Sequence, residues 1–241
     1  MTTAIHSPSQ RDHNEDRMRR AISWFDISLN TETPDEEFIF LWISFNAAYG
    51  VELRHPDAEG DSPSEFQKFS EFLKDILYRD TKGEIESRLT GRKLAGRISH
   101  LLRNQFIYEP FWRSLREAVD GGDEAWQNRF GRRNELVSHS FRKLSAPDLG
   151  SEEKIDLLHG VLVEVFLRLY TLRNQVFHGG ATYGTGRGRK QIKDGSFIMA
   201  NLVPVILDIM EADIDENPSS DVWGEVAYSS SLLFEYDDVD R

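Results

Sequence analysis

The chain of 241 residues contains no cysteine. That excludes disulfides and any thiolate-ligated metal site, and it is neutral to favourable for a reducing compartment. Also missing is any run of roughly 18 consecutive apolar residues, so no membrane-spanning helix and no membrane partner are expected. The opening stretch MTTAIHSPSQRDHNEDRMRR is polar and charged, without the apolar core of a secretory leader. Cations run out toward the other end: from Asp208 onward Arg241 stands alone against a long series of Asp and Glu. Over the whole chain 29 Lys and Arg face 41 Asp and Glu, a formal net charge of −12. The mean field therefore repels phosphates, which argues against a protein that coats nucleic acid without selectivity. The expectation is a soluble, cytoplasmic protein.

Other chemistries lack their signatures. His6, His13, His55, His100, His139 and His159 show no pairing that suggests a metal, and no cofactor is implied. No serine sits in a nucleophile elbow. GTGRGRK at 184–190 has neither the G-x4-G-K-[ST] spacing nor a strand before it, so a nucleoside-triphosphate loop is not expected.

What is present suffices for a sizeable core: 39% of residues are hydrophobic, in a length that suits one large domain or one domain with an insertion. Apolar spacing predicts helices over about 14–29, from Asp35 to Tyr49, from Ser62 or Ser64 to about Tyr78, and over about 84–104, 110–119 and 124–144. Asp148 or Ser151 would cap the longest pattern, through Phe177, and a last helix spans about 189–212 with a kink at Pro204. A short strand is conceivable within WGEVAYSSSLLFEY. Trp42 and Trp112 read as core. The class is mainly α.

Charge is uneven within this frame. From Arg168 to Lys193 there are six cations, Arg168, Arg173, Arg187, Arg189, Lys190 and Lys193, and no acid. Such a strip can hold a polyanion at a defined place. Along the helix leading into it, Leu158, Leu162, Val165, Leu169, Leu172 and Val176 form one core stripe. A second stripe, Phe166, Tyr170, Arg173 and Phe177, lies about 90° round from the first. Two apolar faces suggest packing against something more, another helix of the domain or a second subunit. Arg173 within the second stripe needs an anion, either a carboxylate or a phosphate. His178 follows at the terminus set by Gly179 and Gly180, where unpaired carbonyls favour an imidazolium. It either caps the helix or serves as general acid or base. Asn174, four residues earlier, shares its face.

Arg173-Asn174-Gln175-Val176-Phe177-His178 resembles the R-x4-H signature, with a polar residue after the arginine, of the HEPN superfamily of small α-helical domains. RLYTLRNQVFHGGATYG, FLWISFNAAYG and MANLVPVILDIM are similar to large stand-alone bacterial HEPN-like proteins. The resemblance implies a HEPN-like helical bundle built from about 14–50 and 151–213, a helical insertion over 51–150 and a short irregular, acidic C-terminal extension over 214–241. Active members are metal-independent endoribonucleases that work as homodimers, with arginine and histidine of both subunits in one cleft. Carried over, Arg173 would clamp the scissile phosphate, His178 would move protons at the ribose 2′-hydroxyl or the departing 5′-oxygen, and Asn174 would position one of these groups. Arg187, Arg189, Lys190 and Tyr183, the nearest tyrosine after the histidine, become the candidates for binding the RNA. A role in phage defence or as a toxin, with a regulatory protein partner, is the setting the family suggests. The alternative within the family is a catalytically silent module for RNA binding or assembly.

A second spacing, Arg133 to His139, lies in the more polar RFGRRNELVSHSFRKL and reads as a solvated basic helix able to extend an RNA surface. Arg103-Asn104, with no histidine after it, reads as structural.

Overall fold

The computed structural model describes residues 8–50, 64–117, 125–146, 149–180, 183 and 188–226. Among them the chain forms nine α-helices and one short 3-10 turn, with no strand. Three of the helices begin with reciprocal capping boxes, which satisfy the free amides of a first turn. Ser9 and Asp12 open α1 (Gln10–Ser28), Thr33 and Glu36 open α2 (Pro34–Tyr49), and Ser64 and Gln67 open α3 (Glu65–Arg79). Thr33 thus caps the helix expected to start at Asp35, and Asp35 itself lies inside the first turn and is buried. The single helix expected over 84–104 is two, α4 (Glu84–Thr90) and α5 (Arg92–Leu102), because the weak helix formers Thr90 and Gly91 follow one another at the break. A 3-10 turn at Gln105–Ile107 leads to α6 (Glu109–Glu117), then α7 (Ala125–Leu144), α8 (Ser151–Phe177) and α9 (Arg189–Glu216). Gly150 is the N-cap residue of α8 and Ser151 its first helical residue, with no side-chain cap bond. Pro204 lies inside α9, which continues through it.

One hydrophobic core joins these elements. α2 runs between α1 and α9, α3 packs on α8, and α5 lies across α9. The first stripe of α8 is buried from Leu158 to Leu172, as its spacing predicts. The second stripe finds partners within the same chain: Phe166 stacks on Phe45 at 4.3 Å between ring centres, and Tyr170 meets Trp42 at 6.1 Å and Phe69 at 6.5 Å. Its upper half is therefore intramolecular core, and only Phe177 at its end is exposed. The stretch expected as an insertion is integral to this core in its first half, since Leu73, Ile76, Ile85, Leu89 and Ile98 are fully buried in the same cluster.

The expected acidic tail also starts as structure. Residues 217–226 are irregular but tied down: Asn14 Nδ2 donates to the carbonyls of Pro218 and Ser220, both at 3.0 Å, and Trp223 is buried with its Nε1 donating to Asp213 at 3.0 Å. Arg17 closes the seam. Fully buried, it donates to the carbonyls of Ala48 at 2.8 Å, Gly50 at 2.7 Å and Gly224 at 3.1 Å. Burial, with a smaller push from Arg20, brings its guanidinium down to about 10. The partial negative charge at the C-terminal end of α2 stands in for a carboxylate there. Residues 223–226 of the strand expected in WGEVAYSSSLLFEY are irregular, and its remainder lies outside the described residues. Among the described residues no helix is long and apolar enough to cross a membrane.

Candidate functional site

The end of α8 is fixed by backbone alone. Gly180 N–H donates to the Gln175 carbonyl at 2.7 Å and Gly179 N–H to that of Val176 at 3.2 Å, with Gly179 left-handed at φ 72°. This is a Schellman closure, which needs a residue tolerant of positive φ directly after the cap. It leaves His178 as the cap residue, its N–H on the Asn174 carbonyl at 3.0 Å and its ring exposed. HGG is therefore a device that stops the helix and holds an imidazole at its mouth.

His178 opens onto a cleft of about 960 Å³ whose walls include Phe106, Trp112, Arg116, Asn174 and Gln175. The far wall is built by the segment between α5 and α6. Asn104 shapes it, accepting from Phe106 N–H at 3.0 Å and donating to Gln191 of α9 at 2.6 Å, so this member of the Arg103-Asn104 pair has a structural part. The Phe106 carbonyl takes two donors, Trp112 Nε1 at 2.7 Å and Gln175 Nε2 at 2.5 Å. That double contact locks the aromatic segment to α8 three residues before His178.

The motif residues divide around this cleft. Asn174 and His178 line it, while Arg173, 100° back along the helix from Asn174, does not. Arg173 is half-buried: its Nη1 donates to Asn174 Oδ1 at 2.9 Å, and its guanidinium lies 4.7 Å from the centre of the Phe177 ring. Its Nε is buried with no hydrogen-bond partner, and among the described residues no carboxylate pairs with it. Arginine and amide are thus linked side chain to side chain, while Asn174 meets His178 through its backbone carbonyl.

The basic strip is less continuous than its sequence. Arg168 is inside, 2% exposed, lying over Tyr108 at 4.2 Å with Glu164 of the preceding turn at 4.0 Å. Burial pushes its guanidinium down to about 10 against the pull of Glu164. Arg189, expected to bind substrate, is in an ion pair with Asp35. Tyr183 donates to Glu36 at 2.7 Å, and that bond is the main cause holding the Glu36 carboxyl below its ordinary value. Lys190 is exposed on the first turn of α9, and Arg187 lies outside the described residues. The second spacing comes apart: Arg133, itself exposed, pairs with Glu164 of α8, while His139 lies on the surface beside Arg132, Leu136 and Arg142.

Phe106, Trp112 and Arg116 are site residues that the sequence reading passed over, and Trp112, expected in the core, is 36% exposed. A signal exists in NQFIYEPFWR: four aromatics, Phe106, Tyr108, Phe111 and Trp112, crowd into seven residues between Gln105 and Arg113, more than so short a segment readily buries. Tyr108 is buried and Phe111 half-buried, leaving Phe106 and Trp112 on the cleft.

Fold and site together define an all-helical protein with a capped histidine and an arginine-linked amide at the mouth of an aromatic-walled cleft. No family model matches the chain, and no curated protein or solved structure matches it.

Proposed function

We propose that this chain is a metal-independent endoribonuclease of the HEPN type, acting at a cleft shared by two copies. One observation carries the reading: an exposed imidazole held at a rigid helix cap, five residues after an arginine that has no carboxylate partner among the described residues and donates to the Asn174 amide beside the cleft. In the proposed reaction an imidazole removes the proton of the ribose 2′-hydroxyl, and that oxygen attacks phosphorus. The bond from phosphorus to the 5′-oxygen breaks, and a second imidazole protonates the leaving oxygen. The products are a 2′,3′-cyclic phosphate and a 5′-hydroxyl. Arg173 offsets the charge gathering on the phosphoryl oxygens, and Asn174 orients the nucleophile or a phosphate oxygen. Each subunit brings one histidine in the motif, so a pair supplies both base and acid. DNA lacks the nucleophile and survives.

Incubation of RNA with the protein in EDTA tests this. Cleavage to cyclic-phosphate ends is expected, with a loss of at least about a hundredfold in His178→Ala and in Arg173→Ala while circular dichroism is unchanged. Intact RNA at high protein concentration overturns it. The second reading, a catalytically silent HEPN module for RNA binding or assembly, is favoured by one feature, the position of Arg173 off the cleft lining. It predicts RNA binding that survives in the absence of any cleavage.

A further inference from the structure

The geometry points to a specific substrate form, and the inference rests on the reading of the cleft as an RNA site. We propose that Phe106 and Trp112 are a nucleobase platform, so that the chain takes single-stranded RNA with one unstacked base laid on this wall and its backbone running past His178. Exposed aromatic faces are unusual inside a cleft unless something covers them; Phe106 is 50% exposed and Trp112 36%. The hydrogen bond from Trp112 Nε1 to the Phe106 carbonyl uses the polar edge of the indole and fixes the orientation of its face. Phe106 is braced from behind by Phe111, edge to face at 5.5 Å, and Phe111 by Trp126 at 5.2 Å. Rigid faces of this kind stack bases at little entropic cost, and every base offers a π face.

Charge and polarity fit the same occupant. At the platform's edge Arg116 lines the cleft with its guanidinium 3.3 Å from Glu109, a carboxylate it shares with Arg113 at 2.9 Å, so that its charge is only partly answered there. Gln175 Oε1 and Gln191 Nε2 on the opposite wall have no hydrogen-bond partner among the described residues, offering one acceptor and one donor to a base edge. At about 960 Å³ the cleft lies at the upper end of small-ligand sites, with room for a base and the neighbouring backbone. A paired A-form helix keeps its bases stacked inside and offers none to such a wall.

The test uses a 12-nucleotide RNA carrying 2′-O-methyl groups throughout, which no 2′-OH chemistry can cut, offered as a single strand and as a perfect duplex. Anisotropy is expected to show preference for the single strand, and tryptophan fluorescence is expected to be quenched on binding. Phe106→Ala, which leaves the doubly bonded carbonyl in place, should weaken single-strand binding about tenfold, the effect of one lost stack. Trp112→Ala should do likewise, whereas Trp112→Phe should restore most of the affinity and abolish the quench. Equal affinity for duplex and single strand, unchanged binding by both alanine variants, or displacement of no signal by RNA while a helical peptide binds the cleft, overturns the platform. The two readings fail separately. Cleavage of unmodified RNA at wild-type rates by both alanine variants sinks the platform and spares the nuclease; ring-dependent binding without any cleavage spares the platform and sinks the nuclease.

Discussion

Asp75 shows how little an ion pair's geometry says about its worth. It lies on α3, 3.5 Å from Arg79, in an arrangement usually scored as stabilising. Yet its carboxyl is held above the ordinary value: partial burial penalises the charge, Glu71 and Asp213 add repulsion, and Arg79 only partly answers them. Arg79 has a better partner in Asp213 at 3.0 Å and lies against the Trp223 ring at 5.1 Å. A carboxyl whose folded pKa is raised penalises the fold at neutral pH, and the penalty fades as pH falls through that raised value and the group protonates. Asp75→Asn is therefore expected to leave stability unchanged at pH 7 or to raise it by a few tenths of a kcal/mol, the group being substantially exposed. Any gain should vanish in acid, where the wild-type group is neutral as well. Urea midpoints at pH 7 and pH 4 check this, and a neutral-pH loss above about 0.5 kcal/mol would restore the ordinary salt-bridge view.

Among elements, α9 earns its central place through one glycine. A Cβ on Gly195 would lie 2.8 Å from Leu172 Cδ2, 3.2 Å from Phe38 Cε2 and 3.3 Å from Leu169 Cδ2. Those atoms belong to α8 and α2, so at Gly195 α9 packs tightly against both. Gly195→Ala gains helix propensity but overpacks a core with no slack, and a net loss of about 1–2 kcal/mol is expected. Calorimetry decides it, and a rise in melting temperature would show that the core yields. The helices themselves were legible because apolar periodicity is local, although the capping boxes at Ser9 and Thr33 fell outside the expected starts. Their sorting into bundle and insertion was not, because α3–α5 enter the core through contacts with α8 and α9 far away in sequence. The same limit explains the site. His178, Gly179 and Gly180 make their own cap within six residues, so the cap could be anticipated. The burial of Arg168 depends on Tyr108 and Phe130, and the pairing of Arg189 on Asp35; none of these three partners is near in sequence. A run of like charges says nothing about which members turn inward.

At the scale of the whole molecule, the proposed chemistry asks for two imidazoles where one chain's motif offers one. The second stripe of α8 cannot supply the required interface over its full length, because Phe166 and Tyr170 are packed against the chain's own α2 and α3. What is left exposed at that end is Phe177 and the histidine itself, with Arg173 half-buried beside them. A shared cleft would then form around the α8 termini rather than along the helix, which puts the motif residues themselves at the contact. Adding His178→Ala to wild-type protein tests that arrangement directly. Random exchange between equal amounts makes about half the dimers mixed, and each mixed dimer holds a single imidazole. At a fixed wild-type concentration high enough to keep chains paired, RNA cleavage is therefore expected to fall to about half on adding an equal amount of the variant, and to about a tenth at ninefold excess. Cleavage that stays in proportion to the wild-type chain whatever the excess would mean that each chain works with its own residues alone, and the second proton carrier would then have to be sought on the same cleft wall.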